Sequence, residues 1–271
     1  VALAEKIKKS LKISVIFIGD GTLGEGIVYE VFNIVSKWNL PVLIVLENNQ
    51  YAQSTAQSET LAGSIHAKAN AFKIRTAITS TWDWEGLYFS VQEIVNYVRH
   101  QSRPVFLQID TYRLKPHSKG DDHRKKEEIN YYETIDPLNK IISENYQEYS
   151  KLMQENMNKI NLAISLAKMS KNPAHPNVLS KKIADFKWGH FKIENNNSYH
   201  LSFAINQVFK ELLQARPEIL FIGEDVKSPY GGAFKISHQL SDLFPNQVLN
   251  TPISEASIVG LGCGLAIEGY R

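Results

Sequence analysis

Four places in the chain carry residue types that can do chemistry: Gly19-Asp20-Gly21, Asn48-Asn49, His117 and Glu255. The carboxylate of Asp20 and the amide oxygen of Asn49 are hard oxygen donors. Such donors suit Mg²⁺, which shares its octahedron with phosphate oxygens and water. Gly19 and Gly21 permit a tight turn around Asp20. A helix is expected from Thr22 to Lys37, with Ile27, Val31, Ile34 and Val35 on one side. Its first N–H groups would face the same spot, and its dipole favours a phosphate by about 0.3–1 kcal/mol. Together these features describe a Mg²⁺–diphosphate site.

The elements that must position these groups can be read from apolar runs. Ser14 to Ile18 reads as a central strand of a parallel sheet, buried on both faces, and Pro41 to Leu46 as a second. Between Gly21 and Asn48 lie residues 22–47, which is 26 positions. That span fits one βαβ crossover. Ligands of open α/β sheets bind beyond the carboxyl ends of strands, so Asp20 and Asn49 should end near each other. Further on, helices are expected at Ile65–Phe72 and Asp83–His100, and strands at Ile74–Thr79 and Val105–Ile109. The alternation predicts a doubly wound α/β fold. The last of these strands leads into the loop from Thr111 to Arg124, which by the same rule reaches the site.

The Gly-Asp-Gly triplet, its spacing and the Asn pair resemble the thiamin diphosphate motif. The resemblance implies that Asp20, Asn49 and the main-chain oxygen of Tyr51 bind Mg²⁺, and that backbone groups of Gly21 and Thr22 meet the diphosphate. The loop Thr111-Tyr112-Arg113 through His117-Ser118 to Arg124 resembles that of the α chain of branched-chain 2-oxoacid and pyruvate dehydrogenases. By that resemblance His117 faces cofactor and substrate. Further on, Gly223-Glu224-Asp225-Val226, Gly231-Gly232-Ala233-Phe234-Lys235 and Thr251-Pro252-Ile253-Ser254-Glu255 resemble, in order, the start of the β chain of the same enzymes. There Glu255 corresponds to the glutamate that bonds the aminopyrimidine nitrogen and drives it to its imino form, the internal base. Its neighbours Ile253, Ile258, Val259 and Leu261 predict a partly desolvated carboxyl group, suited to sharing that proton.

The resemblance implies a fused α-plus-β first component of a 2-oxoacid dehydrogenase, present as an internal portion. The expected divisions are a diphosphate- and Mg²⁺-binding domain at 1–126, a helical tail at 127–171, a linker at 172–199, and the start of a pyrimidine-binding domain at 200–271. A small 2-oxoacid, branched-chain or pyruvate, would be decarboxylated and its acyl group passed to the lipoyl group of a dihydrolipoyl acyltransferase partner. A homo-oligomer is expected, a dimer of fused chains, with Glu255 serving a cofactor bound by another copy. An acetoin dehydrogenase-type thiamin enzyme and a truncated chain that keeps the fold without chemistry are the alternatives.

Bulk composition narrows the remaining classes. The 271 residues are 43% hydrophobic and 21% charged, with a net charge of +2. That balance gives no electrostatic case for a nucleic-acid partner. No apolar run reaches the ~18 residues of a membrane helix, so no membrane partner is expected. Cys263 is the single cysteine; it is expected to pack in the interior, in a reducing, cytoplasmic compartment. Gly260 and Gly264, four apart, predict a helix packed closely against a neighbour across a subunit contact.

Overall fold

A computed structural model describes residues 1–118, 122–171 and 200–271. The expected linker at 172–199 and Lys119 to Asp121 of the His117 loop lie outside the described residues. The chain divides into two compact units, one joining residues 1–137 to the carboxyl-terminal stretch through Arg271, the other starting at Leu138.

The first unit opens with helix α1 (Ala2–Ile7) and strand β1 (Ser14–Gly19), then helix α2 (Gly26–Lys37) and strand β2 (Val42–Asn48). A small hairpin follows, β3 (Tyr51–Ala52) and β4 (Thr55–Ala56), with the single-turn helix α3 (Gln57–Thr60) and helix α4 (Ile65–Ala71). Strand β5 (Arg75–Ser80), helix α5 (Trp84–Gln101), strand β6 (Val105–Asp110) and helix α6 (Lys126–Thr134) complete this half. The four main strands form one parallel sheet in the order β1-β2-β6-β5. The doubly wound α/β expectation therefore holds.

The side-chain alternation of β2 explains the layering. Val42, Ile44 and Leu46 face a core with Val28, Phe32 and Val35 of α2 and Ala69 of α4. Leu43 and Val45 face the opposite layer with Ile94 and Val98 of α5. Phe106 and Leu107 of β6 divide between the two layers in the same way. Phe32 meets Phe106 edge-on at 5.7 Å and Phe72 at 5.9 Å, a geometry worth about 0.5–1.5 kcal/mol per pair beyond burial. Asp83 caps α5 by accepting from Gly86 N at 3.0 Å. A Cβ at Gly86 would lie 2.2 Å from the Asp83 carboxylate and would push that cap aside.

Strand β1 corrects the sequence expectation. It lies at the sheet edge, and Phe17 is 67% exposed, with Val15 and Ile16 also exposed. A continuous apolar run describes a strand with two apolar faces, and periodicity alone does not say whether both are covered. An apolar cavity of about 540 Å³ lies alongside, lined by residues of α1, β1, α2 and the last helix.

The remainder of this unit contains helix α9 (Leu201–Ala215), strand β7 (Phe221–Gly223), helix α10 (Leu240–Leu243), strand β8 (Val248–Asn250) and helix α11 (Glu255–Ile267). Strands β7 and β8 pair in parallel over a small core of Leu213, Leu240 and Val248. Leu265 of α11 joins the core that α2 and β2 build, with Leu261 packed against it.

Cys263 is exposed rather than buried, on a helix whose Gly260 and Gly262 have open space around them. Within the chain, Gly264 is approached closely, since a Cβ there would come within 2.9 Å of the Val1 nitrogen. The reason is shared: only the Leu261 and Leu265 side of α11 meets the core.

The second unit contains helix α7 (Pro137–Glu144), which begins at the boundary, and helix α8 (Tyr146–Met169). No residue of either is buried, and Leu152, Ile160, Ile164 and Leu166 of α8 are exposed. Among the described residues no helix is long and apolar enough to cross a membrane.

Candidate functional site

Strands β1, β2 and β6 are in register, with Gly19 beside Glu47 and Asn48 beside Asp110. Their carboxyl ends therefore deliver Asp20, Asn48 and Asp110 to one rim. Asp20 is 2% exposed, which is unusual for a carboxylate without a charged partner. Its Oδ2 accepts from Gln57 Nε2 at 2.5 Å, and the same nitrogen donates to Asn48 Oδ1 at 2.7 Å. Asn48 Nδ2 in turn donates to Asp110 Oδ1 at 2.8 Å, which also receives Gln108 Nε2 at 2.8 Å. Among the described residues, Asp20 Oδ1 has no hydrogen-bond partner.

Asn49 follows at once. Its Oδ1 accepts from Tyr51 N at 2.9 Å, across Gln50 at φ +66°. The β3–β4 hairpin is folded against the Asp20 turn, so that a Cβ on Gly21 would lie 2.7 Å from that of Ala52. Only glycine fits there. A cavity of about 250 Å³ opens beside Gln50, Tyr51, Gln57 and Ser58. The helix start differs from expectation. Asp20–Gly24 form a 3₁₀ turn, Glu25 is extended (φ −83°, ψ 129°), and α2 begins at Gly26. Gly21, Gly24 and Gly26 each disfavour helix by about 1 kcal/mol against Ala. Gly21 and Thr22 therefore offer a tight turn toward the rim rather than the first turn of α2.

These residues fit a cation. A buried carboxylate with one oxygen unengaged, next to amide and main-chain oxygens, is an oxygen-rich seat for Mg²⁺. Among the described residues no group of three or more His, Cys, Asp or Glu side chains could hold a metal on its own. A cation at Asp20 would draw the rest of its shell from amide and main-chain oxygens, water and a bound phosphate.

The His117 loop is fastened at its two ends. Thr111 N donates to Asn48 O at 3.0 Å. Tyr51 Oη and Tyr112 Oη both donate to Glu128 of α6, at 2.8 and 2.9 Å. Burial, helped by the bond to Glu128, raises the pKa of both hydroxyls above the ordinary tyrosine value, so both remain donors. The Arg124 side chain, 4% exposed, lies over both rings at 5.4 and 5.0 Å. Arg124 donates to both carboxylate oxygens of Asp122, at 2.8 and 2.7 Å, and holds that acid at a pKa of about 2. It also donates to Arg113 O, while Arg113 reaches Gln53 O in the hairpin. Tyr112 stacks on Tyr132 at 3.8 Å. His117 itself is exposed, next to the residues outside the description.

Glu255 opens α11. It too is exposed, as are Ile253 (79%) and Val259 (68%). The enclosure expected from its apolar neighbours is thus not present within this chain, because Ile253 and Val259 face outward while Leu261 packs against the core. The start of α11 is instead held by two other acids. Glu224 Oε1 accepts from Ser254 N at 3.0 Å, and Glu30 Oε2 of α2 accepts from Ser257 N at 3.1 Å. Both suit the positive end of the helix. Gln57, Asp110, Glu128 and Glu30 carry no signal in the sequence as site residues. Their partners lie up to 227 positions away, and no local signal marks such a pair.

The parallel sheet with its helices and the second small α/β lobe make a transketolase-like α/β fold, as comparison with solved structures shows. Solved transketolases agree. That of Campylobacter jejuni superposes with a TM-score of 0.51 at 13% identity, covering 94% of this chain and 42% of its own. A Pichia stipitis transketolase gives 0.51 at 12%, covering 94% and 42%. At that identity the likeness is one of fold.

The family model described as "Dehydrogenase E1 component" matches residues 1–175, and "Transketolase, pyrimidine binding domain" matches residues 198–271. The chain belongs to the dehydrogenase E1 component family. It is 32% identical over 184 residues to the pyruvate dehydrogenase E1 component subunit alpha of Rickettsia bellii, covering 65% of this chain and 56% of that protein. The Rickettsia typhi protein of the same name is 38% identical over 144 residues, covering 52% and 44%. The chain thus spans about half the length of these curated relatives.

Proposed function

We propose that this chain carries a diphosphate-binding part and a pyrimidine-binding part of a thiamin diphosphate-dependent 2-oxoacid dehydrogenase, joined in one polypeptide. Pyruvate is the favoured substrate, from the names of the relatives, with branched-chain 2-oxoacids next from the loop around His117. The acyl group would pass to a lipoyl-bearing acyltransferase. The observation that carries this reading is the buried Asp20 carboxylate with one oxygen unengaged, at the rim shared by three parallel strands.

Asp20, Asn49 and the main-chain oxygen of Tyr51 would hold Mg²⁺, and backbone groups of Gly21 and Thr22 would meet the diphosphate. The bound cofactor would supply the carbanion chemistry that amino-acid side chains lack. Glu255 would hold a proton at the aminopyrimidine nitrogen. Its exposure in this chain supports a role toward a cofactor carried by a second copy, where the apolar surface of Ile253 and Val259 would be covered. His117, on the fastened loop, would orient the substrate or the lipoyl group. The test is Glu255→Gln in the full chain, assayed with pyruvate and a dye acceptor. Turnover should vanish while Mg²⁺-dependent thiamin diphosphate binding persists; normal turnover would remove Glu255 from the mechanism.

A further inference from the structure

Gln57 lies in a segment rich in Ser, Thr and Gln, and its side chain occupies the centre of the rim. One nitrogen, Nε2, reaches Asp20 Oδ2 at 2.5 Å and Asn48 Oδ1 at 2.7 Å. A primary amide carries two N–H donors, so both bonds can form together. The orientation of the amide follows from its neighbours. Asn48 gives its own NH₂ group to Asp110 at 2.8 Å, so Asn48 must present oxygen to Gln57. Asp20 offers only acceptors. Gln57 can therefore meet both only with nitrogen. Its main chain is fixed as well, with Gln57 N donating to Gln50 O at 2.8 Å.

The consequence concerns the other oxygen of Asp20. With Oδ2 engaged, the carboxylate cannot rotate freely, and Oδ1 is left unpartnered in a residue 2% exposed. Metal-binding carboxylates are commonly held in this way by a second donor, and losing that donor costs about 10–100-fold in metal affinity. Through Asn48, the same amide ties the hairpin to the ends of β2 and β6.

We infer that Gln57 is a positioning residue for the cation: it fixes Asp20 so that one carboxylate oxygen is presented to Mg²⁺. The inference rests on the proposed Mg²⁺–diphosphate site and adds a residue to it. Two variants of the full chain test it, Gln57→Ala and Gln57→Met, the second keeping side-chain length while removing the donor. Mg²⁺ is titrated calorimetrically at a fixed, saturating concentration of thiamin diphosphate. Both variants should bind Mg²⁺ about 10–100-fold more weakly, yet recover the wild-type stoichiometry of thiamin diphosphate at high Mg²⁺. That recovery separates a positioning defect from an unfolded chain. Wild-type or tighter Mg²⁺ affinity in Gln57→Met overturns the inference and leaves the site itself standing. A Gln57→Met variant that never regains thiamin diphosphate binding also overturns it, since the residue is then only structural. A wild-type chain that binds no Mg²⁺ overturns the site and this inference together.

Discussion

The two ends of the proposed cofactor site are built differently. At the carboxyl ends of β1, β2 and β6, Asp20, Asn48, Gln57 and Asp110 form one bonded series within a single chain, with Asp20 buried. At the amino end of α11, Glu255 is exposed beside exposed Ile253 and Val259, and only the helix backbone is held, by Glu224 and Glu30. The contrast teaches that the cation end is preorganised by local strand register. The ring end offers a carboxylate and an apolar surface that need a further surface to enclose them. Binding of the diphosphate and activation of the ring should therefore be separable by mutation.

The largest structural effect is expected at the join between hairpin and loop. Glu128→Ala leaves two tyrosine hydroxyls without their acceptor. Each orphaned, half-buried group costs about 1–3 kcal/mol, and partial exposure puts the sum at the low end. Urea unfolding should register a loss of this order, and limited proteolysis should cut faster between Thr111 and Arg124. An unchanged proteolysis rate would mean that Thr111, Arg113 and Arg124 hold the loop without Glu128.

A smaller effect is expected at the ring end. Glu30→Ala removes the acceptor for Ser257 N, a capping interaction worth about 0.5–2 kcal/mol. The chain should lose stability by about 1 kcal/mol in the same urea titration, with Mg²⁺-dependent binding at Asp20 intact. A loss of Mg²⁺ affinity in this variant would show that the two ends are not separable.

The smallest effect concerns Asp122. Its folded pKa of about 2 lies below the usual carboxylate value of about 3.9 because Arg124 bonds its charged form. The sign is fixed: the stabilisation is fully present above about pH 4 and is lost as pH falls toward 2. In wild type, fluorescence of Trp82, which stacks on Tyr132, should report loosening in that window. Asp122→Asn should lack that step, and an identical acid profile in the two chains would exclude the pair as its source.

Much of this arrangement was legible in the sequence. The parallel sheet followed from apolar runs, and the positions of Asp20 and Asn49 followed from the 22–47 spacing and the rule about strand ends. The E1 family followed from separate motifs in order. What escaped has physical causes. An apolar run does not distinguish an edge from a central strand, which is why β1 reads as central from sequence. Glycine-rich sequence blurred the start of α2. Apolar neighbours of Glu255 in sequence are not its neighbours in space, since Ile253 and Val259 face outward and Leu261 packs against the core. Gln57 and Glu128 act through partners 37 and 77 residues away, and no periodicity encodes such pairings.

The most direct measurement is a calorimetric titration of thiamin diphosphate into the 271-residue chain, with Mg²⁺ and with a chelator, repeated on Asp20→Ala. Binding should require Mg²⁺ and should weaken by at least about 100-fold in the variant, beyond the loss of a supporting donor. Equal affinity with and without Mg²⁺, or in Asp20→Ala, would contradict a cation seat at the end of β1.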